Sequence, residues 1–151
     1  MLSDVMTKRL EKKLMKKYPL ILKDMYGDPK ITSMAYGISC RDGWYFLLDT
    51  LLETIQDHID YRSKIISLKV AESTEPFVMQ VFARQIKEKY GELVVYYMGG
   101  DDYIRDLILY TRILSTKTCE VCGKFDKTVK KVTNKHIIET LCPQCNKEGK
   151  R

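Results

Sequence analysis

Residues 119–145 read CEVCGKFDKTVKKVTNKHIIETLCPQC. Two Cys-x-x-Cys pairs, Cys119 with Cys122 and Cys142 with Cys145, stand nineteen residues apart, separated by lysines and β-branched side chains. The two-residue gap in each pair lets one tight turn aim both sulfurs at a single metal ion. Gly123 suits the left-handed backbone that such a knuckle often needs, and Pro143 pre-sets φ for the second turn. Between the pairs, KTVKKVT and HIIETL alternate as two short strands joined at Thr133-Asn134-Lys135. Knuckle, hairpin, knuckle is the layout of a zinc ribbon. Disulfides fit a cytosolic chain poorly, and a redox Cys-x-x-Cys normally sits beside a βαβ pattern that is not seen here. The expectation is Zn²⁺ held by Cys119, Cys122, Cys142 and Cys145. Four thiolates close the shell against water and substrate, so the ion is expected to be structural, not catalytic. His136 is then a surface residue of the hairpin.

Working outward, 151 residues suffice for one domain, or for a domain plus a small satellite. No apolar run approaches the roughly 18 residues of a membrane span. The N-terminal MLSDVMTKRLEKKLMKKYP lacks the unbroken apolar core of a secretory signal, so the cytoplasm is the expected location. The net charge of +6 is unevenly spread. Residues 1–17 and 117–151 are strongly basic, whereas 18–116 carry a slight acidic excess. Basic ends of this kind meet polyanions or acidic partners, or are simply solvated. Lys117, Lys124, Lys127 and Lys147 adjoin the cysteines, where they also offset the two surplus negative charges of a four-thiolate zinc centre.

Elsewhere the pattern is mainly helical. Residues 4–17 carry Val5, Leu10, Leu14 and Met6 in a narrow apolar stripe, with Ser3 or Asp4 as cap. A turn-rich stretch, YGDPKITSMAYGISCRDG, follows as a loop. Asp42 is the expected N-cap of GWYFLLDTLLETIQDHIDY, whose Trp44, Leu47, Leu48, Leu51, Leu52, Ile55 and Ile59 recur over four helical turns and centre the core. Residues 62–75 are ambiguous, with KIISLKV readable as a short strand and AESTEP as a connector. From Glu75 a second helix is predicted, with Pro76 in its first turn, Phe77, Val78, Val81, Phe82 and Ile86 on its apolar face, and Gly91 closing it. ELVVYY follows as a strand. In Gly99–Asp102 two glycines turn the chain and Asp101 or Asp102 caps a third helix bearing Ile104, Leu107, Ile108, Thr111 and Leu114.

Several of these motifs recur together. KEKYGELVVYYMGGDDYIRDLILYTRILSTKTCEVCG, with YGISCRDGWYFLLDTLLETI upstream, resembles a widespread group of small proteins encoded by bacteriophages and prophages. Their shared landmarks are a helix end before a tyrosine-rich strand, a Gly-Gly-Asp turn, a Ser-x-x-Thr-Cys-Glu-x-Cys-Gly knuckle and a Gly-Trp pair, here Gly43-Trp44. The resemblance covers about two thirds of the chain and implies an origin rather than an activity: a product acting in the host bacterial cytoplasm on host machinery or host defence.

The expected architecture is α+β. Residues 1–115 form a mainly helical body with a short sheet, 116–148 a four-cysteine zinc ribbon fastened to the last helix, and 149–151 a basic tail. The expected role is non-catalytic binding of nucleic acid or of a host nucleic-acid-handling protein, with Lys127, Lys130, Lys131 and Lys135 supplying the electrostatic contact and Tyr96 and Tyr97 a stacking or anchoring one. Two alternatives stand beside it: a host-defence inhibitor whose tyrosine-rich body sequesters a nucleotide signal or blocks an enzyme, and an enzyme whose constellation only the fold assembles. Most tyrosines are expected to pack in the core, and His58 to be a polar-face residue. Cys40 is read as a buried small hydrophobe, although Arg41 beside it would lower the pKa of an exposed thiol.

Overall fold

The computed structural model describes residues 4–68 and 77–149. Its elements are α1 (Lys8–Lys17), α2 (Tyr45–Ser67), β1 (Met79–Lys89), β2 (Glu92–Gly100), α3 (Asp102–Ser115), β3 (Lys130–Asn134), β4 (Ile137–Leu141) and the short α4 (Pro143–Lys147). Strands β1 and β2 form one antiparallel pair and β3 and β4 another. The fold is α+β, as its sequence pattern predicts.

Helix α2 is the spine. Leu48, Leu51, Leu52, Ile55 and Ile59 are buried along one face, with Trp44 fully buried just before the first turn. This stripe meets Leu14 of α1, Val81 and Ile86 of β1, Leu93 of β2, and Ile104 and Ile108 of α3. The helix continues through Lys64–Ser67 instead of yielding to a strand, and 69–75 lie outside the described residues. No Gly or Pro interrupts it there, so nothing stops its propagation.

The segment predicted as a second helix is strand β1. Its buried positions, Val81, Ala83 and Ile86, follow a two-residue period that slips at register shifts between Met79 and Phe82 and between Ala83 and Gln85. Each irregularity stretches a spacing of two into three, which imitates helical periodicity. Phe77, assigned to the apolar face, is exposed. Gly91 does not end a helix. With Tyr90 it forms a two-residue hairpin loop in which both φ values are positive, 53° and 74°, and the chain returns as β2 with Lys89 opposite Glu92. The free edge of β1 is covered by the turn-rich segment before α2: Ser39 N–H donates to Ile86 O, and Glu88 N–H donates to Ser39 O.

Helix caps are shared across elements. Asp101 Oδ1 accepts from Ile104 N–H at 3.0 Å, the predicted cap of α3. Asp42 does not cap α2. It lies in a 3₁₀ turn, and its Oδ1 accepts the Thr7 N–H at 2.8 Å, at the start of α1. The N-cap of α1 is Thr7 rather than Asp4, which pairs with Arg41 at 2.7 Å; Ser3, the other expected cap, lies outside the described residues. Val5 is exposed rather than part of the apolar stripe, while Met6 is buried.

The polar side of α1 hides one group. Glu11 is 1% exposed; its Oε1 accepts the Ile38 N–H at 2.7 Å, and its Oε2 accepts from Lys8 Nζ and the Tyr26 hydroxyl. Gly37, at φ 79°, leaves the space: a Cβ there would collide with this carboxylate. Replacing Glu11 by Ala strands a buried N–H, so Glu11→Ala is expected to cost about 3 kcal/mol and Glu11→Gln clearly less, because the amide oxygen still serves Ile38. Urea denaturation midpoints of the two variants check this.

Candidate metal centre

The ribbon hairpin positions its two knuckles by pairing Lys130 with Leu141 through to Asn134 with Ile137. The turn is Lys135-His136, both at positive φ, one step beyond the junction read from the sequence. Residue Gly123 has φ 77° and donates its N–H to Cys119 O, closing the first knuckle. In the second, Cys142 precedes Pro143 at the first position of α4, and its sulfur accepts the Cys145 N–H at 3.4 Å. His136 is exposed on the hairpin turn.

Four sulfurs result, those of Cys119, Cys122, Cys142 and Cys145, all within 4.8 Å of one another. Cys122 Sγ and Cys142 Sγ are 3.7 Å apart. A disulfide requires about 2.05 Å. A tetrahedral ion with metal–sulfur bonds of about 2.3 Å sets its sulfurs about 3.8 Å apart, so the donor set fits a four-coordinate metal ion. Three of the cysteines are buried and Cys122 is exposed. Burial pushes the Cys142 thiol up, but the Cys145 N–H and hydrogen bonds from the other three thiols outweigh it and bring Cys142 down to about 7. Burial pushes the Cys122 and Cys145 thiols up in turn, so the cluster keeps protons on those sulfurs that a bound metal ion must displace.

The body grips this centre directly. Trp44 donates its indole N–H to Thr118 O at 2.8 Å, and Gly43 N–H donates to Glu120 O at 3.0 Å. Gly43 has no room for a side chain: a Cβ would fall 2.6 Å from the Glu120 carbonyl oxygen and nearer still to that of Cys119. From the hairpin, the Thr140 hydroxyl donates to Gly91 O at 2.6 Å, and Arg41 forms a buried 2.9 Å pair with Glu139. Glu120, between the first two cysteines, accepts the Thr140 N–H at 2.7 Å. Its burial pushes the carboxyl up to about 7 against the pull of that bond. Nothing in the Cys-x-x-Cys spacing pointed to Arg41, Glu120, Glu139 or Thr140; the paired Gly43-Trp44 was the legible signal.

The other singled-out residues separate. Lys127 and Lys130 line one shallow groove of the ribbon with Thr128, Val132 and Asn146. Lys135 is exposed at the hairpin turn. Lys131 points back to the body, where its Nζ lies 2.5 Å from Glu92. Tyr96 is exposed and Tyr97 packs on the core, as strand alternation requires. Most tyrosines do not pack inside: Tyr90, Tyr103 and Tyr110 are also exposed, because their strand end and helix face look outward. His58 is more than a polar-face residue, pairing with Asp101 at 2.8 Å and packing on the Tyr103 ring. Cys40 is fully buried, and burial pushes its thiol up rather than Arg41 drawing it down.

No family model, curated protein or solved structure matches the chain.

The tight Gly43 contact and the unequal burial of the thiols each have a measurable consequence. Gly43→Ala should cost about 2–4 kcal/mol and weaken metal retention, read by thermal unfolding and chelator competition. After metal is stripped, Cys119, Cys122, Cys142 and Cys145 should all alkylate, while Cys40, buried in the core of the body, should react only when the body unfolds, read by peptide mass mapping.

Proposed function

We propose that the chain is a non-catalytic binding protein, of the bacteriophage or prophage origin its motifs imply. A structural zinc ion would fix a lysine-bearing ribbon against a helical body, and the ribbon would engage nucleic acid or a host protein that handles nucleic acid. Zinc is favoured among metals because it takes four thiolates tetrahedrally without redox chemistry. The closed donor set supports a structural rather than catalytic ion, since every ligand position is filled by sulfur.

The observation that carries the binding reading is the outer face of the ribbon. Lys127 and Lys130 sit side by side in one groove, Lys135 stands at the tip, and none of the three has an ion-pair partner among the described residues. Lys131 drops out of the contact set because it is turned toward the body, where it shares the Glu92 carboxylate with Arg112. Cations left unpaired beside a shallow groove suit phosphates, whose contacts supply most non-specific affinity. No helix among the described residues is long and apolar enough to cross a membrane. The proposal places the meeting with the partner in the bacterial cytoplasm.

The defence-inhibitor reading draws on the Tyr96–Tyr97 face, whose groove also holds Arg105 and Arg112. Both arginines are already engaged, Arg105 by Asp102 and Asp106 and Arg112 by Glu92. That leaves little charge for a nucleotide's phosphates, so the ribbon is the stronger candidate.

A gel-shift titration of zinc-loaded protein with single- and double-stranded nucleic acid, at two salt concentrations, tests this. The double substitution Lys127→Ala with Lys130→Ala is expected to weaken binding about tenfold or more and flatten its salt dependence, whereas Lys131→Ala leaves both nearly unchanged. No shift at low salt would remove nucleic acid as the partner.

A further inference from the structure

The ribbon and the body share a second, separate surface. Where the first knuckle meets the N-terminal ends of α1 and α2 and the C-terminal end of α3, a half-open groove of about 660 Å³ runs along the surface. Its walls are Leu10, Phe46, Leu47, Leu114, Val121 and Phe125. Phe46 and Phe125 are 75% and 61% exposed and line the same groove, one from α2 and the other from the ribbon, so they form part of one apolar patch. Volume and apolar lining lie in the range of sites that bind an organic group. The groove shares no residue with the Lys127–Lys130 groove.

Its charge gives the occupant's character. The one formally charged residue in the lining is Asp42, and three aromatic rings, Tyr45, Phe46 and Phe125, line the groove with it. Lys13, Lys117 and Lys124 neighbour these elements in sequence, yet none of them lines the groove. Aromatic faces and a carboxylate attract a cation, and the aliphatic floor attracts apolar side chains. A polyanion is repelled by this lining.

We propose that the groove docks an amphipathic segment of a partner protein that presents apolar side chains beside one arginine or lysine. The site is composite: α1, α2 and α3 supply one wall, and the knuckle carrying Val121, Cys122, Gly123 and Phe125 supplies the other. Loss of the metal would dismantle that second wall, so docking is coupled to metal occupancy. The proposal goes beyond the nucleic-acid reading and does not depend on it.

The probe is a random-peptide display library selected on the zinc-loaded full chain, with counter-selection on a Phe46→Ala, Phe125→Ala double variant. Both side chains are exposed enough that their loss leaves the core intact, which retained zinc content verifies. The enriched peptide is then synthesised and titrated by fluorescence anisotropy. Expected is a consensus of apolar residues flanking Arg or Lys. Its binding should fall about tenfold or more with Phe125→Ala and again with Asp42→Asn. Asn keeps the acceptor used by Thr7, so that substitution removes only charge. Amide shifts on binding should centre on Gly43, Val121 and Gly123. An acidic consensus, equal binding to the double variant, no enrichment, or a wild-type dimer that Phe125→Ala dissociates would each overturn the proposal. Nucleic-acid shifts of Phe125→Ala and of the Lys127/Lys130 variant, run alongside, show which surface has failed.

Discussion

Convergence of four sulfurs on one point is the constraint on which the C-terminal quarter depends. Residues 116–149 bury little other apolar surface: Val129 and Leu141 join three of the cysteines, with Val121 and Val132 only partly covered. A core that small does not hold a hairpin and two knuckles by hydrophobic burial alone. A metal ion closing the four thiolates would substitute for the missing core, and its binding free energy would become folding free energy. The knuckle so fixed then serves as a wall for the body.

That wall is seated by polar contacts rather than by apolar area. Trp44 reaches the carbonyl of Thr118, Gly43 lies against the Glu120 backbone, and Arg41 meets Glu139 out of solvent. A buried ion pair of this kind adds little net stability, because desolvation offsets most of the attraction. Separating its partners is costly, however, and so is stranding any buried N–H. The joint therefore accepts one docking position and penalises sliding. The same logic holds at Glu11, where a single buried carboxylate ties α1, through Ile38, to the segment that covers the edge of β1.

Much of this was legible in the residues. The clustering of the four cysteines follows from spacing alone, because two Cys-x-x-Cys pairs beside a hairpin pattern bring their sulfurs to one place. Helices α2 and α3 follow from strong 3.6-residue periodicity, and the cap of α3 was narrowed to Asp101 or Asp102, of which Asp101 makes the bond. Strand β1 was hidden because register shifts turned its two-residue alternation into a helix-like count, and because Tyr90-Gly91 reads equally well as a helix stop. The joint was hidden for a different reason. Arg41 and Glu139 are 98 residues apart, and no local pattern announces that pairing. The exposed tyrosines were missed because an aromatic on an amphipathic helix signals burial only when its face is known, and Tyr103 and Tyr110 lie on the outer one.

The most direct test is X-ray absorption at the zinc edge on protein purified without added metal. The account predicts one zinc per chain with four sulfur neighbours at about 2.3 Å and no nitrogen or oxygen in the first coordination sphere. A chain that carries no metal, or an ion with an oxygen or nitrogen ligand in place of one sulfur, would contradict the closed centre from which the ribbon, its docking and both proposed surfaces follow.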